Sequence, residues 1–250
     1  MPSLPVESQG SGETFLWLHG FTQTRRSARN FLSIVAGSHT VVTPDLPGHG
    51  EASGISGDLD ATARMVRALC PPEPLILGGY SMGGRVALHV ALQNPEAIGA
   101  LILLSATRGI PTPNDRRNRV ADDEQRAQRI EAIGVEAFLD EWLAGPLFAS
   151  LPHDLEERQS RSTDGAGLAA SLRDCGTGTQ RFLGDELAKL TMPVLLIAGA
   201  NDEKFAGEAL EMALHFPNAH VALIPDAGHA AHLEKPEAVS RLVLEFLADY

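Results

Sequence analysis

Short apolar runs recur along the chain, each bounded by turn-forming residues. They are TFLWL, HTVVT, PLILGG, GALILLS, PVLLIAG and AHVALIP. Between them, apolar residues recur every three or four positions, which predicts helices at residues 27–36, 58–69, 81–93, 203–214 and 236–248, with Asp58 as an N-cap. This alternation is typical of an α/β fold with a mostly parallel sheet flanked by helices. The text before TFLWL leaves room for at most one brief leading strand.

The alternation stops between residues 108 and 188. This span contains no convincing strand and reads as charged, amphipathic helices, as in DEQRAQRIEAIGVEAFLDEWL. We therefore predict a core formed by residues 1–107 and 189–250, with residues 108–188 as a helical cap inserted after the sixth strand. Ligands of open α/β sheets bind beyond the carboxyl ends of the strands, and we expect the cap to cover that edge.

Composition narrows the classes of partner. The chain has 250 residues, 44% of them apolar, which is enough for one sizeable domain with an insertion. Its formal net charge of -12 argues against nucleic acid or an anionic membrane as a partner, so an anionic small substrate must be held by local arginines. No segment has the length and apolar character of a membrane span.

The cysteines and the N-terminal text predict the compartment. Cys70 and Cys175 lie far apart without metal-type spacing, which favours free thiols in a reducing compartment and no metal site. The opening MPSLPVESQGSG has neither a basic start nor an apolar run. We expect a cytoplasmic monomer that acts on a small molecule.

The stretch GYSMGGRVAL at residues 79–88 is a candidate for a nucleophile elbow. Ser81 follows the apolar run PLILGG and opens a segment of helical period. Such a turn brings a strand and a helix close together, and Gly79 and Gly83 remove the Cβ atoms that would collide there. The pattern G-x-S-x-G is short, and its position between a predicted strand and a predicted helix is what makes it specific.

A serine hydroxyl needs a histidine to take its proton, and the histidine needs a carboxylate to fix its tautomer. In elbow enzymes the chain order is Ser, acid, His. Asp202 follows PVLLIAG and His229 follows AHVALIP, so both come directly after strands, at the sheet edge that carries Ser81. Asp226 and Glu203 are alternative acids in less suitable positions.

Other histidines compete with His229 for the role of base. His232 lies three residues further on, and we expect it either beside the catalytic residues or exposed. The remaining candidates fall in predicted helices or at a strand start: His89, His153, His215 and His220. A histidine without partners of this kind is more often structural than catalytic.

An oxyanion site requires two backbone N–H groups directed at developing negative charge. Met82 follows the nucleophile at a helix N-terminus and supplies one. Phe21, in the HGF loop after TFLWL, supplies the other, while His19 and Gly20 shape that loop and His19 bonds locally. The loop DLPGHG at residues 45–50 is interpreted as structural.

Together these segments resemble a known superfamily. HGF, DLPGHG, GYSMGG, the acid after the penultimate strand and AGH are similar to the α/β-hydrolase superfamily over essentially the whole chain outside the insertion. GYSMGGR, EAFLDEWLAGPLFASLP and GANDEKF resemble a narrower family, the 2-succinyl-6-hydroxy-2,4-cyclohexadiene-1-carboxylate synthases of menaquinone and phylloquinone biosynthesis.

The resemblance implies a lyase that needs no cofactor. Its substrate would be 2-succinyl-5-enolpyruvyl-6-hydroxy-3-cyclohexene-1-carboxylate, which carries several carboxylates. The triad would remove a proton next to a carbonyl, and the oxyanion site would hold the resulting enolate-like charge while pyruvate is eliminated. By position, the resemblance assigns substrate binding to Arg85, Arg119 and Arg161, with Tyr80 and Trp142 lining the pocket.

Several of these assignments have alternatives. Arg85 lies one helical turn after Ser81 and can point back toward it, but it could instead pair with a neighbouring acid. Arg116, Arg117 and Arg126 compete with Arg119, and all four could simply form a solvated helix face. The triad would equally serve a carboxylesterase or a C–C bond hydrolase. A non-catalytic ligand receptor on this fold is less compatible with a complete triad.

Overall fold

A seven-stranded sheet forms the centre of the computed structural model, which describes residues 2 to 249. The strands lie in the order β1-β3-β2-β4-β5-β6-β7. Only β1 is antiparallel to its neighbour, so the predicted, mostly parallel sheet is confirmed. The strands are Val6–Gln9 (β1), Thr14–Leu18 (β2), Thr40–Pro44 (β3), Leu75–Tyr80 (β4), Ile98–Leu104 (β5), Val194–Gly199 (β6) and Ala219–Ile224 (β7).

Helices cover both faces of this sheet. Every position of β4 and β6 is buried, because apolar helix faces pack against both sides of these strands. The core helices are Arg29–Val35 (α1), Leu59–Arg67 (α2), Met82–Gln93 (α3), Glu203–Ala213 (α8), Ala231–Glu234 (α9) and Pro236–Ala248 (α10). The predicted cap of α2 is confirmed, since the Asp58 side chain accepts a hydrogen bond of 2.7 Å from the Ala61 amide.

The segment between β5 and β6 is helical. Residues 108–188 are all described and contain no strand. Their helices are Pro113–Ile133 (α4), Val135–Leu143 (α5), Leu155–Gln159 (α6) and Gly165–Cys175 (α7). A separate apolar cluster joins them, with Ile130, Phe138 and Leu168 among its buried members. The insertion follows the fifth strand rather than the sixth, because a single strand, β1, precedes β2.

Two neutral histidines connect the loops that follow β2 and β3. His19 Nδ1 donates to the Gly20 carbonyl at 2.9 Å, as expected of a local bond, and its Nε2 accepts from the Leu46 amide at 3.0 Å. His49 Nδ1 donates to the Pro47 carbonyl at 3.0 Å, and its Nε2 accepts from the Thr22 amide at 3.3 Å. Burial lowers the pKa of His19 to about 4 and that of His49 to about 3, so both stay neutral.

His232 is buried among aromatic rings rather than exposed. Its ring centroid lies 4.4 Å from that of Tyr80 and 5.8 Å from that of Trp17. Neither ring nitrogen has a hydrogen-bond partner within the described part of the chain. Burial, with smaller contributions from the charges of His229 and Arg161, lowers the pKa of His232 to about 3. The imidazole therefore packs as a neutral ring.

We predict that His232→Phe makes the protein less sensitive to acid. The pKa of His232 in the folded protein lies below the value of 6.5 expected in the unfolded chain. As pH falls below 6.5, the unfolded state therefore binds a proton that the folded state does not bind, which favours unfolding. Removing this group should lower the pH slope of the unfolding free energy by about 1.4 kcal/mol per pH unit.

Urea unfolding between about pH 6.5 and 4.5 measures that slope. The control is His153→Gln, because His153 is an exposed histidine whose loss should leave the slope unchanged. A His232→Phe variant with the wild-type slope would show that His232 is protonated in the folded protein.

Candidate active site

Ser81 occupies a strained turn between β4 and α3. Its φ of 51° and ψ of -107° lie in a region that residues with a side chain rarely adopt. A Cβ on Gly79 would overlap the Gly83 carbonyl, and a Cβ on Gly83 would overlap the Leu18 carbonyl at the end of β2. The two glycines therefore let strand and helix cross closely enough to hold the serine at the sheet edge.

The structure brings Ser81, His229 and Asp202 into one hydrogen-bonded chain. His229 Nε2 lies 3.1 Å from Ser81 Oγ, and His229 Nδ1 lies 2.7 Å from Asp202 Oδ2. Because Nδ1 faces a carboxylate, it carries the ring proton and leaves Nε2 free to accept one from the hydroxyl. The His229 side chain is 2% exposed and that of Asp202 is 8% exposed, so the hydrogen bond between them is shielded from water. The alternative acids, Asp226 and Glu203, are exposed.

Asp202 is fixed by the helix that it begins. It follows β6 and is the N-cap of α8, where its Oδ1 accepts a hydrogen bond of 3.3 Å from the Phe205 amide. The Phe205 ring packs 4.5 Å from the His229 imidazole, centroid to centroid. One carboxylate oxygen thus holds the backbone and the other holds the histidine.

Two residues that the sequence interpretation missed hold the His229 loop. Ser105 Oγ donates to the His229 carbonyl at 2.8 Å, and Glu234 accepts from the Gly228 amide at 2.7 Å and the Ala230 amide at 3.2 Å. Ser105 follows β5 directly, so the strand-end argument that located Asp202 would also have located it. Glu234 belongs to no motif with fixed spacing, and nothing in the sequence marks it.

A cavity of about 440 Å³ opens above Ser81, between the sheet edge and the cap. It contains most of the residues that the sequence assigned to the site. Those that line it are Phe21, Tyr80, Ser81, Met82, Arg85, Arg119, Trp142 and His229. The volume suits a small molecule with one ring and several substituents.

Phe21 and Met82 both line the cavity, as an oxyanion site requires. Met82 is the first residue of α3, and the first amides of a helix have no acceptor within it. Phe21 lies in a turn from Gly20 to Gln23, closed by a hydrogen bond of 3.1 Å from the Gln23 amide to the Gly20 carbonyl.

Arg85 is buried beside the nucleophile without a charged partner. It is 7% exposed and lines the cavity, and its Nη1 has no hydrogen-bond partner among residues 2–249. No ion pair involving Arg85 occurs in that range, so the alternative of a structural salt bridge is not observed. Burial lowers the pKa of Arg85 to about 10, which leaves the guanidinium charged at neutral pH.

The cap contributes two further arginines that share one acid. Arg119 Nε and Arg126 Nη1 lie 2.8 Å and 3.2 Å from Asp123 Oδ1, and all three residues line the cavity. The other competitors for this position, Arg116 and Arg117, are not part of the lining, and Arg117 instead bonds Asn114. The geometry therefore narrows the choice to Arg119 and Arg126.

Arg161 does not line the cavity that contains Ser81. It lines a neighbouring cavity of about 340 Å³, and its Nη2 lies 3.5 Å from Oε1 of Glu157, four residues earlier. Its Nη1 donates to Thr22 Oγ1 at 2.6 Å. Because these contacts hold the guanidinium between the loop after β2 and α6, outside the lining of the cavity above Ser81, this placement does not support the substrate-binding role that the resemblance implied.

We predict that Ser81→Ala lowers turnover by about 10³-fold or more, because the hydroxyl has no substitute in the hydrogen-bonded chain. The midpoint of thermal unfolding should not fall, because the strained backbone at Ser81 serves the chemistry rather than the fold. Steady-state kinetics with scanning calorimetry checks both. Turnover within about tenfold of the wild type would remove Ser81 from the reaction.

We expect His229→Ala and Asp202→Asn to cause losses similar to that of Ser81→Ala. The double variant should lose much less than the product of the two single losses, because the residues act through one proton path. A double-mutant cycle on kcat measures this. Independent, multiplicative losses would contradict the shared path.

Comparison with known proteins agrees with this geometry. The sequence profile of the alpha/beta hydrolase family matches residues 15–242. A Bacillus subtilis (strain 168) protein, named provisionally as a 2-succinyl-6-hydroxy-2,4-cyclohexadiene-1-carboxylate synthase, is 35% identical over 96% of this chain and 92% of its own. A protein of Escherichia coli O1:K1 / APEC that carries the same synthase name is 32% identical over 93% of this chain and 92% of its own.

A solved structure gives the same assignment. The structure of MenH from S. aureus superimposes with a TM-score of 0.92 at 32% identity, covering 100% of this chain and 99% of that chain. The chain therefore belongs to the alpha/beta hydrolase family and, within it, to the 2-succinyl-6-hydroxy-2,4-cyclohexadiene-1-carboxylate synthases.

Proposed function

We propose that this protein is a lyase that eliminates pyruvate from 2-succinyl-5-enolpyruvyl-6-hydroxy-3-cyclohexene-1-carboxylate, forming 2-succinyl-6-hydroxy-2,4-cyclohexadiene-1-carboxylate. The observation that carries the proposal is the buried guanidinium of Arg85, which has no ion-pair partner among residues 2–249 and lies in the cavity that contains Ser81 and His229. A neutral ester in this cavity would leave the guanidinium without a charged partner. A substrate carboxylate would supply the missing partner.

In this proposal the triad acts as a base. His229 Nε2 takes the Ser81 proton, and Ser81 Oγ removes a proton from the substrate carbon next to a carbonyl. The electrons of the broken C–H bond at C2 form the 2,3 double bond, the existing 3,4 double bond shifts to the 4,5 position, and the C–O bond between C5 and the enolpyruvyl group breaks. The leaving group takes a proton and becomes pyruvate, so no oxidant or reductant is consumed. The amides of Phe21 and Met82 stabilise the enolate-like charge.

The charge of the cavity supports an anionic substrate. The chain carries a formal net charge of -12, yet the cavity lining has four basic and two acidic side chains. The basic ones are Arg85, Arg119, Arg126 and Lys204. Local arginines can therefore capture an anion that the rest of the surface repels.

Trp142 adds a second unpaired donor to the cavity. Its ring packs edge-on against Phe21, with centroids 5.6 Å apart, and its Nε1 has no hydrogen-bond partner among the described residues. A buried indole N–H normally finds an acceptor. A substrate oxygen would provide one, and a carboxylate on Arg85 would lie in the same cavity.

The direct test is incubation of the purified protein with the proposed substrate while released pyruvate is followed by a coupled assay. Saturable release that is abolished in Ser81→Ala supports the proposal. Turnover of neutral aryl esters through a trapped acyl-serine, without pyruvate release, would instead identify a carboxylesterase. Failure to release pyruvate from the intact substrate would overturn the proposal.

We predict that Arg85→Ala lowers kcat/KM for this substrate by about 10- to 150-fold, corresponding to about 1.5 to 3 kcal/mol of lost charge-assisted hydrogen bonding. Arg85→Lys should recover only part of the loss, because an ammonium cannot reproduce the planar two-donor fork. Hydrolysis of a neutral aryl ester, where it occurs, should change much less.

The matched control for Arg85 is Arg64→Ala, which removes an exposed arginine outside the cavity and should change neither activity. Thermal midpoints of all variants show whether the fold survives. Equal losses on the anionic and neutral substrates would mean that Arg85 supports the structure rather than the substrate.

We also propose that the protein works as a cytoplasmic monomer. Cys70 and Cys175 are both free, which suits a reducing compartment. Within the described residues no helix combines the length and the hydropathy that crossing a bilayer requires. Light scattering during size-exclusion chromatography tests the monomer, since a mass twice that of the chain would contradict it.

A further inference from the structure

The peptide group between Gly20 and Phe21 is held from its carbonyl side. The Gly20 oxygen accepts hydrogen bonds from His19 Nδ1 at 2.9 Å and from the Gln23 amide at 3.1 Å. A trans peptide is planar, so its N–H points opposite to its C=O. Fixing the Gly20 oxygen therefore fixes the direction of the Phe21 N–H, one of the two donors assigned to the oxyanion site.

The side chain of Gln23 closes the same turn a second time. Its Oε1 accepts a hydrogen bond of 2.9 Å from the Gly20 amide, and the residue is only 1% exposed. Thr22, inside the turn, has a φ of 70°, which a β-branched residue adopts only when its surroundings impose it. The turn that presents Phe21 is therefore strained, and contacts with surrounding residues must hold it in this conformation.

The cap supplies the contacts that hold this turn. Gln23 Nε2 donates to Glu157 Oε1 at 3.1 Å, and Glu157 Oε2 accepts from the Ala28 amide at 2.9 Å. The Thr22 carbonyl accepts from the Ser162 amide at 2.8 Å. Glu157 lies in α6 and Ser162 shortly after it. The cap thus binds the turn at two of its four residues.

Neither Gln23 nor Glu157 lines the cavity above Ser81. We propose that Gln23 and Glu157 are positioning residues that complete the oxyanion site, an inference that rests on the proposed function. The hydrogen bond between Gln23 and Glu157 connects the cap to the turn that carries Phe21. When the cap is docked on the core, this bond holds the Phe21 amide in its direction. They act on the rate of the reaction through the direction of this N–H and make no contact with the substrate.

The test is Gln23→Glu, which keeps the acceptor for the Gly20 amide but places a carboxylate against Glu157. Arg161 Nη2 lies 3.5 Å from Glu157 Oε1, but one guanidinium cannot neutralise two facing carboxylates, so the contact is strongest while the two carboxylates share a proton. We expect kcat to fall by about 10- to 10³-fold, up to the loss of one oxyanion donor, with KM changed by less than about threefold. The loss should grow as pH rises from about 6 to 9, relative to the wild type.

The double variant Gln23→Glu with Glu157→Gln should recover the activity at every pH. It restores one amide facing one carboxylate, with donor and acceptor exchanged. The control is Gln159→Glu, which adds the same charge to an exposed position on the same helix and should leave kcat unchanged. If Gln23 and Glu157 had only a structural role, Gln23→Glu would lower the thermal midpoint. It would not cause a pH-dependent loss of kcat that Glu157→Gln reverses.

The experiment separates this proposal from the proposed function. Each variant is assayed for pyruvate release and, where the wild type hydrolyses it, for hydrolysis of 4-nitrophenyl acetate, because the tetrahedral intermediate of an ester also needs an oxyanion site. Absence of pyruvate release in the wild type would overturn the lyase alone. Hydrogen exchange of the Gly20–Gln23 turn, compared between variants at one pH, should accelerate in Gln23→Glu and return in the double variant. The positioning role would be overturned if Gln23→Glu kept the kcat and the exchange rate of the wild type above about pH 8. It would also be overturned if the double variant showed no recovery.

Discussion

The close crossing of β4 and α3 at Ser81 is the constraint on which the rest of the site depends. Gly79 and Gly83, on either side of Ser81, let α3 begin against the end of β2, and Ser81 adopts a positive φ in the turn. One short stretch of chain then supplies three functions. In the proposed reaction Ser81 supplies the base and the Met82 amide supplies an oxyanion donor, and Arg85 returns to the same cavity one helical turn later.

The sequence predicted the parts of the site that parallel strands determine. Asp202 and His229 could be located because strands of one parallel sheet end at the same edge. The sequence could not predict that Arg161 lines a different cavity from Ser81, and it missed Glu157, because the orientation of cap helices depends on packing between distant segments that no local pattern records. His232 shows the same limit at one position, since only the assembled fold surrounds it with Trp17 and Tyr80.

A buried guanidinium without a partner is unfavourable for folding, and its retention needs a reason. The cap offers a contrast within the same cavity, where Arg119 and Arg126 are held by Asp123. Within the described part of the chain no acid pairs with Arg85, and its Nη1 has no hydrogen-bond acceptor. The lowered pKa of Arg85 reports the cost of removing the charge from water, and a carboxylate in the cavity would offset that cost.

The position of Arg161 gives the cap a second role beyond covering the cavity. The guanidinium bonds Thr22 in the turn that presents Phe21, and it lies beside Glu157, which holds Gln23 in the same turn. Displacing the end of the cap would break both contacts and release a backbone that is strained at Thr22. Cap docking is therefore physically coupled to the conformation of the turn that presents Phe21, and through it to the charge stabilisation proposed for that amide, because the same side chains serve both.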